Sequence, residues 1–112
     1  MDKKKPKILV IGSANMDMVI RTDHFPVPGE TIMGGEFSLI PGGKGANQAV
    51  AAARLGGDVC FITQLGKDLF GDQNLENFKR EGIDTSLITQ NPDQPSGVAL
   101  ITVDNSGENT II

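Results

Sequence analysis

Asn15 and Asp17 are the first residues along the chain whose types and spacing could do chemistry. They follow directly on the apolar run from Lys7 to Ser13, and their i, i+2 spacing puts both side chains on one face of an extended segment. An ionised carboxylate only accepts hydrogen bonds, whereas an amide both donates and accepts. Held side by side, the two suit paired hydroxyls of a sugar. An Asx turn closing the strand is the other reading of the same residues, and chemistry alone leaves both open. A second constellation is Pro41-Gly42-Gly43-Lys44-Gly45-Ala46-Asn47-Gln48. Its glycines leave no side chain between the backbone and whatever approaches it. Lys44 and Asn47 stand at the mouth of the helix that follows, and a helix N-terminus opened by glycines can hold a polar ligand. The glycines could equally serve tight helix–sheet packing. Lys44 and Asn47 tip the balance toward a ligand, because a turn needs neither.

Other chemically suggestive residues have plainer roles. The glycine stretch lacks the final glycine of a dinucleotide-binding fingerprint, and the chain contains no GxxxxGK[ST] phosphate loop. Asp68, between Gly66 and Gly71, reads as the N-cap of the next helix rather than a metal ligand, since no second carboxylate is placed to share a cation with it. His24 sits in a proline-rich loop with no Ser or Cys nearby and reads as a surface or hinge histidine. Cys60 lies in Val59-Cys60-Phe61-Ile62 and reads as a buried core thiol in a strand.

The elements that must position these residues follow from local patterning. Lys7 to Ser13 is a short continuous apolar run ended by glycine, as expected of a central parallel strand buried on both faces. Residues 46, 49, 50 and 53 follow the i, i+3, i+4, i+7 rule of a one-faced helix, alanine-rich and closed by Gly56-Gly57. Val59 to Gln64 then completes a βαβ-like unit. A polar helix capped by Asp68 runs to about Glu81, with Phe70, Leu75 and Phe78 available to pack, and Gly82 ends it. Ile83 to Ile88 alternates apolar and polar residues. Ser96 to Val103 is a strand that forms a hairpin with Asn109–Ile112 across the turn at 104–108. Met18 to Ile20 and Phe37 to Ile40 are extended, separated by a stretch rich in proline and glycine. The segments between Asp17 and Ile40 suggest a small sheet of their own.

The 112 residues suit one domain, and 38% apolar with 21% charged residues fits a globular chain rather than a disordered one. With five Phe and no Trp or Tyr, the core must come from Ile, Val, Leu and Ala. A formal charge of −4 argues against nucleic acid as a partner. The one basic cluster, Lys3, Lys4, Lys5 and Lys7, reads as a solvated tail. A single cysteine excludes an internal disulfide and a multi-cysteine zinc site. No apolar run reaches membrane-spanning length and no signal-peptide pattern opens the chain, so a cytoplasmic location and no membrane partner are expected. The chain stops on a bare Thr-Ile-Ile strand, which suggests the N-terminal part of a longer α/β protein.

Together, Gly12-Ser13-Ala14-Asn15-Met16-Asp17, Pro28-Gly29-Glu30-Thr31, the Pro41–Gly56 stretch, Gly66 to Gly71 and Ser96 to Ile101 resemble the ribokinase family of carbohydrate kinases. The resemblance covers essentially all of residues 1–112. It implies an α/β fold, a parallel sheet with flanking helices plus a small β-sheet lid from about 17–40 and 96–112, incomplete here. It implies substrate-binding roles for Asn15, Asp17, Gly43, Lys44 and Asn47, with Met16, Gly42, Gly45 and Ala46 beside them and Ala99 and Ile101 as an apolar surface against the sugar. The implied reaction moves the γ-phosphoryl group of ATP, with Mg2+, to the 5-hydroxyl of D-ribose. The resemblance further implies a monovalent cation (K+) and a homodimer formed through the lid. The catalytic Asp, the ATP site and the cation site belong to a C-terminal signature of that family, so no catalytic, cofactor or metal residue is expected among these 112, and the chain alone is expected to be inactive. A kinase of deoxyribose, another sugar or a nucleoside is the alternative within the family. A non-catalytic sugar-binding or dimerising module is the alternative outside it.

Overall fold

The computed structural model describes residues 4–112. Lys3 of the basic cluster lies outside the described residues. Seven strands and two helices follow in the order β1 (Lys7–Ile11), β2 (Asn15–Arg21), β3 (Glu36–Gly42), α1 (Lys44–Arg54), β4 (Asp58–Gly66), α2 (Leu69–Arg80), β5 (Ile88–Asn91), β6 (Gly97–Val103) and β7 (Asn109–Ile111). The chain divides into two compact units. The first comprises the residues up to Met16 and Pro41–Gly97, and the second comprises Asp17–Ile40 and Val98–Ile112.

The first unit is built on a parallel sheet of order β1-β4-β5. Lys7 pairs with Asp58 and Ile11 with Ile62, while Thr63 pairs with Ile88 and Gly66 with Asn91. Side chains alternate along each strand. Val10 of β1 and Val59, Phe61 and Leu65 of β4 point to one face, where Ala46 and Ala49 of α1 and Phe78 of α2 complete the core with Ile83. Alanines at 46 and 49 let α1 lie close against the sheet. Phe61 and Phe78, fully buried, meet edge to face with ring centroids 5.3 Å apart, so two aromatic side chains join the Ile, Val, Leu and Ala expected to make up the core.

Among the described residues the opposite face of β1 is uncovered, where the sequence pattern predicts a central strand buried on both sides. Here β1 is an edge strand, and Leu9 and Ile11 are 57% and 72% exposed. Both helices cover the same face, so a continuous apolar run is buried only at alternate positions. Cys60 shares the open face and is half-buried rather than enclosed. Burial still pushes its thiol up from the ordinary value, and the Asp84 and Asp58 carboxylates add to the shift, so it is a poor nucleophile. Sequence patterning also missed β5, a Thr-Gln-Asn continuation whose strand character comes from pairing with β4 rather than from propensity.

The turn between β4 and α2 is tied in both directions. Asp68 caps α2 as expected, accepting from the Gly71 amide at 2.8 Å. Its carboxylate also accepts from the Ser96 amide (2.8 Å) and the Ser96 hydroxyl (2.7 Å), and that hydroxyl in turn accepts from the Gly66 amide at 3.0 Å. The bonds from the Ser96 and Gly71 amides, with that from the Ser96 hydroxyl, hold the Asp68 carboxyl below its ordinary range.

The second unit contains most of a four-stranded sheet of order β3-β2-β6-β7. The β6–β7 hairpin is antiparallel, with Ile101 opposite Ile111 and Val103 opposite Asn109. Asp104 closes its turn by accepting from the Ser106 and Glu108 amides. His24 is exposed, its Nε2 3.2 Å from Glu30 Oε1, consistent with a surface histidine.

Replacing Phe78, fully buried, by Ala should cost about 3–5 kcal/mol in a urea titration. The same truncation of Leu55, 89% exposed, should stay within about 0.5 kcal/mol. Asp68 sets an acid dependence whose sign follows from its lowered pKa. Its contribution is complete above the unfolded value of 3.8 and is lost as pH falls through the lower folded value. Asp68→Asn should therefore flatten the acid limb of a plot of urea midpoint against pH.

Candidate functional site

The glycine stretch acts first as a packing joint. Gly42 ends β3 and is buried. Gly43 is the N-cap of α1 at φ 101°, ψ 136°, a conformation that a residue with a Cβ rarely adopts. The Asn47 amide donates to the Gly43 carbonyl at 2.9 Å, the first turn of the helix. The Ala46 amide donates to the Ser13 carbonyl at 3.0 Å, tying the helix mouth to the segment after β1. Gly45 and Gly12 meet backbone to backbone, and a Cβ on Gly45 would stand 2.7 Å from the Gly12 Cα.

This joint brings two of the expected site residues together. A Cβ on Gly43 would lie 2.7 Å from the Ser13 carbonyl oxygen, 2.8 Å from the Ala14 Cα and 3.0 Å from Asn15 Oδ1. The Asn15 amide therefore stands directly over the bare backbone that opens α1. Lys44 and Asn47 are exposed on the first turn of that helix, and Asn15 is half-buried. A donor-only ammonium and two amides at one helix mouth form a polar, hydroxyl-matching set.

The remaining expected residues fall into distinct places. Met16 is 2% exposed and, one residue along β2 from Asn15, points to the other face. Gly45 and Ala46 are buried in the joint itself. Asp17 belongs to the second unit, half-buried, two positions beyond Asn15 and so on the same face of β2. Ala99 and Ile101, also in the second unit, are half-buried and share one face of β6, alternating with the exposed Val98 and Leu100. Among the described residues, no group of three or more His, Cys, Asp or Glu could hold a metal ion.

Ser96 and Gly97 were not distinguished by sequence reasoning beyond their place at the start of a strand. A Cβ on Gly97 would lie 3.2 Å from the Asn15 Cβ, so Gly97 packs against Asn15 from a second side. Nothing local signals this, because the two residues are far apart in sequence.

The family model for pfkB family carbohydrate kinases matches residues 5–112. The chain belongs to that family. It is 47% identical over 105 residues to the ribokinase of Haemophilus influenzae, covering 94% of this chain and 34% of that protein. It is 42% identical to the deoxyribokinase of Salmonella typhi, covering 94% of this chain and 34% of that protein. The solved structure of Arabidopsis thaliana ribokinase complexed with ribose and ATP superposes with a TM-score of 0.86 at 32% identity, covering 97% of this chain and 36% of that one. The chain thus spans about a third of the length of the curated relatives it matches. The α/β arrangement of a parallel sheet, two helices and a small sheet matches the corresponding part of ribokinase-fold structures.

The joint yields a measurable contrast between two glycines of similar φ. Gly56 (φ 98°) has open space where a Cβ would go, whereas a Cβ on Gly43 meets backbone. Gly56→Ala should cost about 1–2 kcal/mol, the left-handed penalty alone. Gly43→Ala should cost more, and thermal unfolding midpoints of the two variants measure the difference.

Proposed function

We propose that this chain carries sugar-recognition residues of an ATP-dependent ribokinase, which phosphorylates D-ribose on its 5-hydroxyl. The observation that carries the reading is the Asn15 amide set over the bare Gly43 backbone at the mouth of α1, in a sequence 47% identical to a ribokinase. Asn15, Lys44 and Asn47 would exchange hydrogen bonds with sugar hydroxyls, and Gly43 would let the ring approach the backbone. Asp17 would accept from a further hydroxyl, and Ala99 and Ile101 would offer the sugar an apolar surface. Lys44 is a sugar contact in this reading rather than a phosphate grip.

Phosphoryl transfer rests on positioning and charge stabilisation, so fixing the acceptor hydroxyl is the part these residues would contribute. No aspartate among them is assigned as the catalytic base. As the family resemblance implies, Mg2+ would arrive with the nucleotide and a K+ site would lie outside these residues. Among the described residues no helix is long and apolar enough to cross a membrane. A cytoplasmic location is part of the same proposal. The sheet of the second unit leaves Val98 and Leu100 of β6 exposed on the face away from Ala99 and Ile101, with the exposed Ile112 opposite Leu100, and we assign that face to pairing with a second copy as a homodimer.

The alternative sugar is 2-deoxyribose, supported by the 42% identity to a deoxyribokinase. A site that hydrogen-bonds the 2-hydroxyl loses about 1–3 kcal/mol when that group is missing. The test is a chimera in which residues 5–112 replace the matching segment of the Haemophilus influenzae ribokinase. It should phosphorylate ribose with ATP and Mg2+, prefer ribose to 2-deoxyribose, and lose about 100-fold or more in kcat/KM on Asn15→Ala or Asp17→Ala. A folded chimera without ribose kinase activity, or one indifferent to both substitutions, would refute the reading. A preference for 2-deoxyribose would favour the alternative.

A further inference from the structure

The Asp68–Ser96 pair does more than cap a helix. Capping α2 occupies one bond, from the Gly71 amide to Asp68 Oδ1 at 2.8 Å. Three more bonds go to or through Ser96. Its amide donates to Asp68 Oδ2 at 2.8 Å, its hydroxyl donates to Asp68 Oδ1 at 2.7 Å, and that hydroxyl accepts from the Gly66 amide at 3.0 Å. Ser96 is only 7% exposed, so these bonds are shielded from competing water. The glycines at 66 and 71 are what allow the approach. A Cβ on Gly66 would stand 2.6 Å from Asp68 Oδ2 and 2.7 Å from the Pro95 carbonyl carbon, and one on Gly71 would stand 3.1 Å from the Ser96 hydroxyl. Two segments almost thirty residues apart are thereby fixed to one carboxylate.

The residue after Ser96 is Gly97, which packs against Asn15. Its bare Cα leaves just enough room, since a Cβ there would come within 3.2 Å of the Asn15 Cβ and 4.0 Å of its Cα. Two glycines thus border Asn15, Gly43 near its Oδ1 and Gly97 near its Cβ. Gly43 is fixed because it is the N-cap of α1, and Gly97 is fixed because Ser96 is held by Asp68.

We propose that Asp68 and Ser96 form a latch that positions Asn15, by holding Gly97 against its side chain and so setting the direction of its amide. This inference rests on the reading of Asn15 as a sugar contact, but only for its consequence in binding. Asp68, Ser96 and Gly97 are positioning residues and touch no substrate themselves.

The test uses the 15N-labelled 112-residue chain and the side-chain amide resonances of Asn15, identified by their loss in Asn15→Ala. In Asp68→Asn, Ser96→Ala and Gly97→Ala these resonances should shift. In Leu55→Ala, an exposed change at the opposite end of α1 from Gly43, they should stay in place. Unmoved Asn15 resonances in a folded Asp68→Asn chain would overturn the latch. Should that variant not fold, Ser96→Ala and Gly97→Ala decide by the same criterion. Introduced into the chimera described above, Asp68→Asn and Gly97→Ala should raise the KM for ribose about tenfold with a smaller change in kcat. An unchanged KM beside shifted resonances would sink the role of Asn15 in sugar binding and leave the latch standing, which separates the two failures.

Discussion

Close backbone approach between the segment after β1 and the start of α1 is the constraint on which the first unit depends. Gly12 and Gly45 meet with no room for a Cβ on either side, and the Ala46 amide is spent on the Ser13 carbonyl. That single contact sets the depth at which α1 lies on the sheet. It therefore fixes which residues of α1 reach the core, namely Ala46 and Ala49. It also sets where β2 begins, and so where Asn15 stands relative to the helix mouth. A helix pushed outward by one methyl group at position 45 would lose the packing and the site together. Stability and the proposed recognition share one joint here, which is why the stretch reads equally well as a packing motif and as a ligand loop.

How much of this was legible in the sequence depended on how local the cause was. The two helices were readable because periodicity, Asp68 as N-cap and Gly56 and Gly82 as terminators all act within a few residues. The β6–β7 hairpin was readable from its turn residues. The strand Ile88–Asn91 was not, because only pairing with β4 makes Thr-Gln-Asn extended. Which face of β1 these two helices cover was not legible for a related reason. An apolar run reports that both faces tolerate apolar side chains, not which of them α1 and α2 pack on. The half-burial of Cys60 among these residues follows from the same uncovered face.

At the site, the residue types were legible and the geometry was not. Asn15, Lys44 and Asn47 could be chosen because each offers hydrogen bonds that a turn or helix start does not need. Gly97 and Ser96 offered no such sign. Their contribution comes from a contact with Asn15 and a carboxylate at Asp68, both distant in sequence. Asp68 itself was visible, but as a cap alone, since a cap is the whole of what its neighbours along the chain require.

The two readings of the helix mouth separate on the kind of partner each group can satisfy. An anion at a helix N-terminus needs several backbone amides turned toward it, and here one of the four that a helix start leaves unpaired, the Ala46 amide, is taken by the Ser13 carbonyl. What remains at the mouth is a side-chain set with acceptors as well as donors, because the Asn15 and Asn47 amides contribute both. A phosphate carries no hydrogen-bond donors of its own when fully ionised and would leave those acceptor oxygens facing like charge. A sugar hydroxyl donates and accepts, and so can satisfy an amide in either sense. The balance of donors and acceptors, more than the glycines, is what favours the proposed polyol over a phosphate at this mouth.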